Sequence, residues 1–141
     1  MINKETLMFP DLQASLLCDD VRQEKNGKFI LIGIFDALAV AKLPAVYSKI
    51  CVVNRWCCGK GDFKQTTRLI GPDGVSVIAA GKEVPIKLAT EFQTATSIEI
   101  FMNTKFEQSG THWIEISLET NLSIRYPLVI SLVEPNPQQP Q

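Results

Sequence analysis

The chain has 141 residues, of which 45% are hydrophobic and 21% charged. That is enough for one domain with a buried core, and it excludes an intrinsically disordered chain. Its 14 basic and 15 acidic side chains nearly cancel, and no basic stripe is visible, so nucleic acid is not an expected partner.

Residues 1–10 form an N-terminal segment without the apolar core of a secretory signal, and the longest apolar run is too short to span a bilayer. The expectation is a cytoplasmic protein with no membrane partner. Cys18, Cys51, Cys57 and Cys58 are then expected as free thiols. No Cys-x-x-Cys pair occurs, so zinc-ribbon spacing is absent. On one strand Cys51 and Cys57 would lie roughly 20 Å apart at ~3.3 Å per residue, beyond the ~4.4–6.8 Å that a disulfide spans. Cys57 and Cys58 would need a strained vicinal bridge, which leaves Cys18 with the one realistic partner, across a strand pair. At least two of the four thiols are expected to be buried as small apolar residues.

Residues 11–133 carry the strand signals. Leu12, Ala14, Leu16 and Cys18 alternate onto one strand face. Val21 has the opposite parity, so a bulge near Asp19-Asp20 is expected to return it to the core. Asn26-Gly27 between two β-like runs is a hairpin signal. The return strand, Lys28 to Phe35, is apolar on both faces. Ile30, Ile32 and Ile34 are expected to fill the core, leaving Phe29, Leu31 and Phe35 on a face that is usually wet.

A loop around Pro44 precedes a strand from Ile50 to Cys58. A tight turn at Gly59–Asp62 leads to Thr66–Ile70. Pro72-Asp73-Gly74 is a turn in which Pro presets φ, Asp bonds its own backbone and Gly accepts positive φ. Val75–Ile78 leaves it as a strand. Val84, Ile86 and Leu88 alternate around Pro85, which suits an edge. Ile98, Ile100, Met102, Thr104 and Phe106 share a face expected to be buried, as do His112, Ile114, Ile116 and Leu118 after Gly110. A turn at Thr120-Asn121 leads into Leu122–Leu132. The Pro/Gln-rich tail 134–141 is expected to be disordered. Together these signals predict an all-β fold, an antiparallel β-sandwich of eight or nine strands, immunoglobulin-like or C2-like.

Cys18-Asp19-Asp20-Val21-Arg22, the Asn26-Gly27-Lys28 turn and Leu31-Ile32-Gly33-Ile34-Phe35-Asp36 resemble the opening of a family of small uncharacterised bacterial domains. The likeness spans about residues 11–133. It implies a β-sandwich of unknown function and supplies no catalytic residues. Where similar sandwich strands often place Tyr, this chain has His112.

His112 is the one histidine, and its parity places it with core residues. No Gly-x-Ser-x-Gly or Ser-x-x-Lys nucleophile motif accompanies it, so no catalytic residue is assigned. Asp19, Asp20, Asp36 and Asp62 lie near strand ends or turns, where calcium-binding sandwiches hold their ion. No Asp-x-Asp-x-Asp loop occurs, however, and no metal or cofactor is expected. Trp56, Trp113 and Tyr126 are core aromatics or sugar platforms. The first functional reading is a non-enzymatic module that binds another protein or its own copy, with Phe29, Leu31, Phe35 and Trp113 as interface candidates. The second is a carbohydrate- or calcium-binding module. The third, an enzyme, would need a polar pocket holding His112 with an acidic partner.

Overall fold

The computed structural model describes residues 7–133. It contains ten strands: β1 (Asp11–Gln23), β2 (Phe29–Phe35), β3 (Ala37–Val40), β4 (Ala45–Cys57), β5 (Gly61–Ile70), β6 (Val77–Ala80), β7 (Val84–Leu88), β8 (Ala95–Phe106), β9 (Gly110–Leu118) and β10 (Asn121–Leu132). They form a four-stranded sheet, β2-β1-β4-β8, and a six-stranded sheet, β3-β10-β9-β5-β6, with β7 also pairing β5. All pairings are antiparallel except β3 with β10. No helix long and apolar enough to cross a membrane occurs among the described residues. The tail 134–141 lies outside them.

The expected all-β character, the first hairpin, the Pro72-Asp73-Gly74 turn and the last hairpin all appear. Asp73 accepts from the backbone N–H of Val75 and Ser76 and from the Ser76 hydroxyl, and Gly74 sits at φ 79°. Pro85 lies in β7, which pairs on one side only. The strand count exceeds the expected eight or nine by β3, a four-residue strand directly after β2 that pairs parallel with β10.

Leu17, Val52, Trp56, Phe63, Phe106 and Ile116 form the heart of the core between the sheets. The inward face of β1 is not the expected one. A register shift between Leu12 and Ala14 puts Leu12 against the core, after which Leu17 points inward and Leu16 outward. Cys18 instead joins a second, smaller cluster on the opposite face, with Cys51, Val53, Val21 and Leu31. Val21 is only half-buried, in this second cluster and not in the main core, and β1 keeps one register with β2 on both sides of Asp19, so the expected bulge there does not shift the pairing.

The β8 expectation is also inverted. Ile98, Ile100 and Met102 face solvent, while Ser97, Glu99 and Phe101 face the other sheet. Asn103, at φ 53°, interrupts the alternation, so Thr104 and Phe106 are buried after all. A polar network explains which face wins. Trp56 Nε1–H donates to Gln65 Oε1 at 2.7 Å, and the Ser97 hydroxyl donates to the same oxygen at 2.9 Å. Gln65 Nε2–H donates to Glu99 Oε1 at 2.9 Å, and the Thr67 hydroxyl donates there at 2.5 Å. These bonds tie β4 and β8 of one sheet to β5 of the other. Buried polar groups must be paired, so these partners fix Glu99 inward and turn its neighbours out.

Burial pushes the Glu99 carboxyl above its ordinary value of 4.5, against the opposing bonds from Thr67 and Gln65. A raised carboxyl pKa favours the protonated fold, so Glu99 stabilises most below about pH 4.5. That contribution fades as pH rises through the folded value. Glu99→Gln keeps an acceptor and removes the charge. The stability of the variant relative to wild type should therefore rise between about pH 4 and pH 7, as read by urea unfolding at each pH. A pH-independent difference contradicts the buried-carboxylate account.

Candidate functional site

The β1–β2 hairpin is the feature that the rest of the fold does not absorb. Its turn follows from the Asn26-Gly27 pair. Gly27 takes φ 90°, and its N–H donates to the Glu24 carbonyl at 2.9 Å. The Asn26 side chain accepts from the Lys28 N–H at 3.0 Å. Pairing runs from Leu17↔Phe35 to Gln23↔Phe29, whereas pairing of β1 with β4 ends at Cys18↔Cys51. The outer half of the hairpin therefore leaves the β4 ladder and lies over the outer face of the sheet, where Val21 and Leu31 pack on Cys51 and Val53.

Two contacts hold its base. Asp20 accepts from Lys49 Nζ at 2.8 Å and Arg22 Nε at 2.9 Å. Lys49 first, then Arg22, holds the Asp20 carboxyl well below the usual carboxylate range. On the apolar side, Val21 and Leu31 pack against Cys18, Cys51 and Val53. Gly33 takes φ 70° opposite Asp19, and a Cβ there would strike the Asp19 carboxylate, so only glycine fits.

The remaining residues of β2 stay in solvent. Phe29 is 36% exposed, Ile30 45%, Ile32 44% and Ile34 57%. None of the three isoleucines fills the core, contrary to the sequence expectation. The expected interface residues divide. Phe29 lies at the surface, Leu31 is half-buried by its own chain, and Phe35 leans on the main core with its ring 6.3 Å from Tyr47. Trp113 lies on the other sheet with the Arg125 guanidinium 5.0 Å above its ring. β2 ends its sheet, so among the described residues one side of its backbone has no strand partner. Between Lys28 and Asp36 it carries no charge and no proline, the devices that usually blunt an edge. Beside it, a groove of about 800 Å³ runs between the hairpin tip and the outer face of the sheet, lined by Lys28, Phe29, Leu31, Leu16, Val53 and Thr96. The signal that could have found the exposed isoleucines is the strand's lack of a polar face.

The aspartates do not converge. Asp19 faces the Tyr47 hydroxyl at 3.4 Å, Asp20 is held by its two cations, Asp36 follows β2, and Asp62 sits on β5 in the other sheet. Among the described residues, no three His, Cys, Asp or Glu side chains are placed to hold a metal ion.

His112 lines a cavity of about 440 Å³ with Asp73, Ser76, Lys105 and Glu107. The ring is fully buried, packs edge-on to Phe106 at 5.2 Å, and shares a 3.1 Å hydrogen bond between Nδ1 and the Gly110 carbonyl. Burial lowers its pKa from 6.5, so the neutral ring is favoured, although the Gly110 carbonyl opposes the shift. Nε2 has no hydrogen-bond partner among the described residues, and no carboxylate orients the ring. Asp73 is committed to its own turn. The pocket lacks the nucleophile–base–orienter chain that catalysis by His requires. Trp56 is fully buried and cannot serve as a sugar platform.

Residues 13–131 match a family of unknown function, DUF6941. The chain belongs to this family. The match takes in the exposed hairpin and reaches into the last strand, so the feature singled out above lies within the family's domain. No curated protein matches the chain.

Cys18 sits directly across from Cys51 on the neighbouring strand, and both thiols are free and buried, the two buried thiols expected. Burial raises both pKa values. Cys58 is exposed and Cys57 half-buried. In the native protein Cys58 should react at once with a thiol reagent and Cys57 more slowly. Cys18 and Cys51 should react only after unfolding. Four equally fast thiols in the native state contradict the second cluster.

Proposed function

We propose that this domain is a non-enzymatic module that binds another protein chain, its own copy included, through the β2 edge of the four-stranded sheet. The observation that carries this reading is β2 itself, an unpaired edge strand with four exposed large apolar side chains and no charge. Such an edge offers main-chain donors and acceptors to an incoming strand and apolar pockets to its side chains. A soluble domain keeps such a surface when something covers it. A two-sheet, immunoglobulin-like or C2-like layout suits this work, although a layout alone names no function.

The other readings have less support. Among the described residues a calcium site lacks converging carboxylates, and the aromatics expected as sugar platforms are engaged: Trp56 is buried, Arg125 caps Trp113, and the Tyr126 hydroxyl bonds Ser15. For catalysis, the Gly110 carbonyl orients the His112 ring, but among the described residues no nucleophile lies within hydrogen-bond reach of Nε2.

Ile32→Lys tests the reading. Its position is exposed, so unfolding stability should change by no more than about 0.5 kcal/mol. Binding through β2 should weaken at least about tenfold, because a charge is then forced into an apolar contact. Sedimentation of the full chain, and native cross-linking followed by affinity measurement with the purified cross-linked partner, provide the readout. Association unaffected by Ile32→Lys, or no association of any kind, overturns it.

A further inference from the structure

We infer that the occupant of the β2 edge is a second copy of β2, paired antiparallel about a two-fold axis at Ile32. The inference rests on the binding reading above and names its partner. The carrying observation is the order of residues along the edge: Lys28-Phe29-Ile30-Leu31-Ile32-Gly33-Ile34-Phe35-Asp36. An isologous contact requires that if one residue meets a second, the second meets the first. With the axis at Ile32, Phe29 meets Phe35 of the second copy, and Ile30 meets Ile34. Ile32 meets itself. Leu31 meets Gly33, so the seam asks nothing of the Leu31 side chain, which stays on its own cluster.

The ends match as well. Lys28 of each copy faces Asp36 of the other, giving two opposite-charge pairs. Both side chains are exposed, and neither enters an ion pair among the described residues. The segment is therefore self-complementary in size and in charge when reversed on itself. A shift of the register by one residue would place Lys28 against Phe35 and lose the charge match at both ends.

The pairing also fits the fold around it. β2 ends its sheet, so joining two copies makes one continuous eight-stranded sheet from two four-stranded ones. The exposed rows of Ile30, Ile32 and Ile34 come together across the seam. The joint consumes the longest of the edge strands that carry no charge, and it closes, so it makes a dimer and not a fibre.

Charge reversal separates this arrangement from any other. Lys28→Asp and Asp36→Lys, made singly in the full chain, should each weaken the dimer about tenfold, because each creates two like-charge contacts. The double variant Lys28→Asp/Asp36→Lys should recover wild-type affinity, because both pairs reappear with their signs exchanged. Equilibrium sedimentation gives the constants, and thermal unfolding confirms that each variant folds. A dimer indifferent to the single changes, or not rescued by the double one, overturns the register. A wild-type chain that stays monomeric overturns self-pairing. If that monomer still loses a purified partner on Ile32→Lys, the binding reading stands without this inference.

Discussion

The hydrogen-bonded bridge between Glu99, Gln65, Thr67, Ser97 and Trp56 is the constraint on which the arrangement of the sandwich turns. It joins β4 and β8 to β5 across the core. A carboxylate among apolar side chains is costly unless donors surround it, and here Gln65 and Thr67 supply two. Gly81 makes room, because a Cβ there would collide with the Glu99 carboxylate. Once Glu99 is inside, strand alternation leaves no choice for its neighbours, and Ile98 and Ile100 point outward.

The outer face of the four-stranded sheet is thus more apolar than a solvated sheet normally is. The chain covers part of it. The hairpin lays Val21 and Leu31 on Cys18, Cys51 and Val53, and Asp20 anchors its base through Lys49 and Arg22. Leu31 is used up in this packing, while Phe29, Ile30, Ile32 and Ile34 are not. The same strand supplies two side chains, Leu31 and Phe35, to its own domain and four to the solvent. Its backbone meanwhile offers an open ladder. Apolar side chains and unpaired amides on one edge are what an incoming strand needs.

Local chemistry made much of the fold legible in the sequence. Asn26-Gly27 and Pro72-Asp73-Gly74 announced their turns through positive φ and Asx bonding, and both occur as expected. The face of β9 carrying His112, Ile114, Ile116 and Leu118 was also readable, because its polar alternates are unambiguous. β8 was not, because alternation shows two faces but not which one is inside. There the burial of Glu99 depended on Gln65 and Thr67, which lie more than thirty residues away. The same limit applied to β2, where isoleucines and leucine compete for one buried place. Gly33 and the departure of β1 from β4 awarded it to Leu31. The buried Glu115 on the outward side of β9 is likewise explained by distant partners, Arg68 at 2.6 Å and Arg125 at 3.5 Å.

Hydrogen exchange at the β2 backbone, measured in dilute and concentrated protein, tests most directly whether this edge is an interface. The account predicts that amides between Phe29 and Phe35 become more protected as concentration rises, while those of β8, the opposite edge, do not. Protection along β2 that is the same at every concentration, or that grows only along β8, would contradict it.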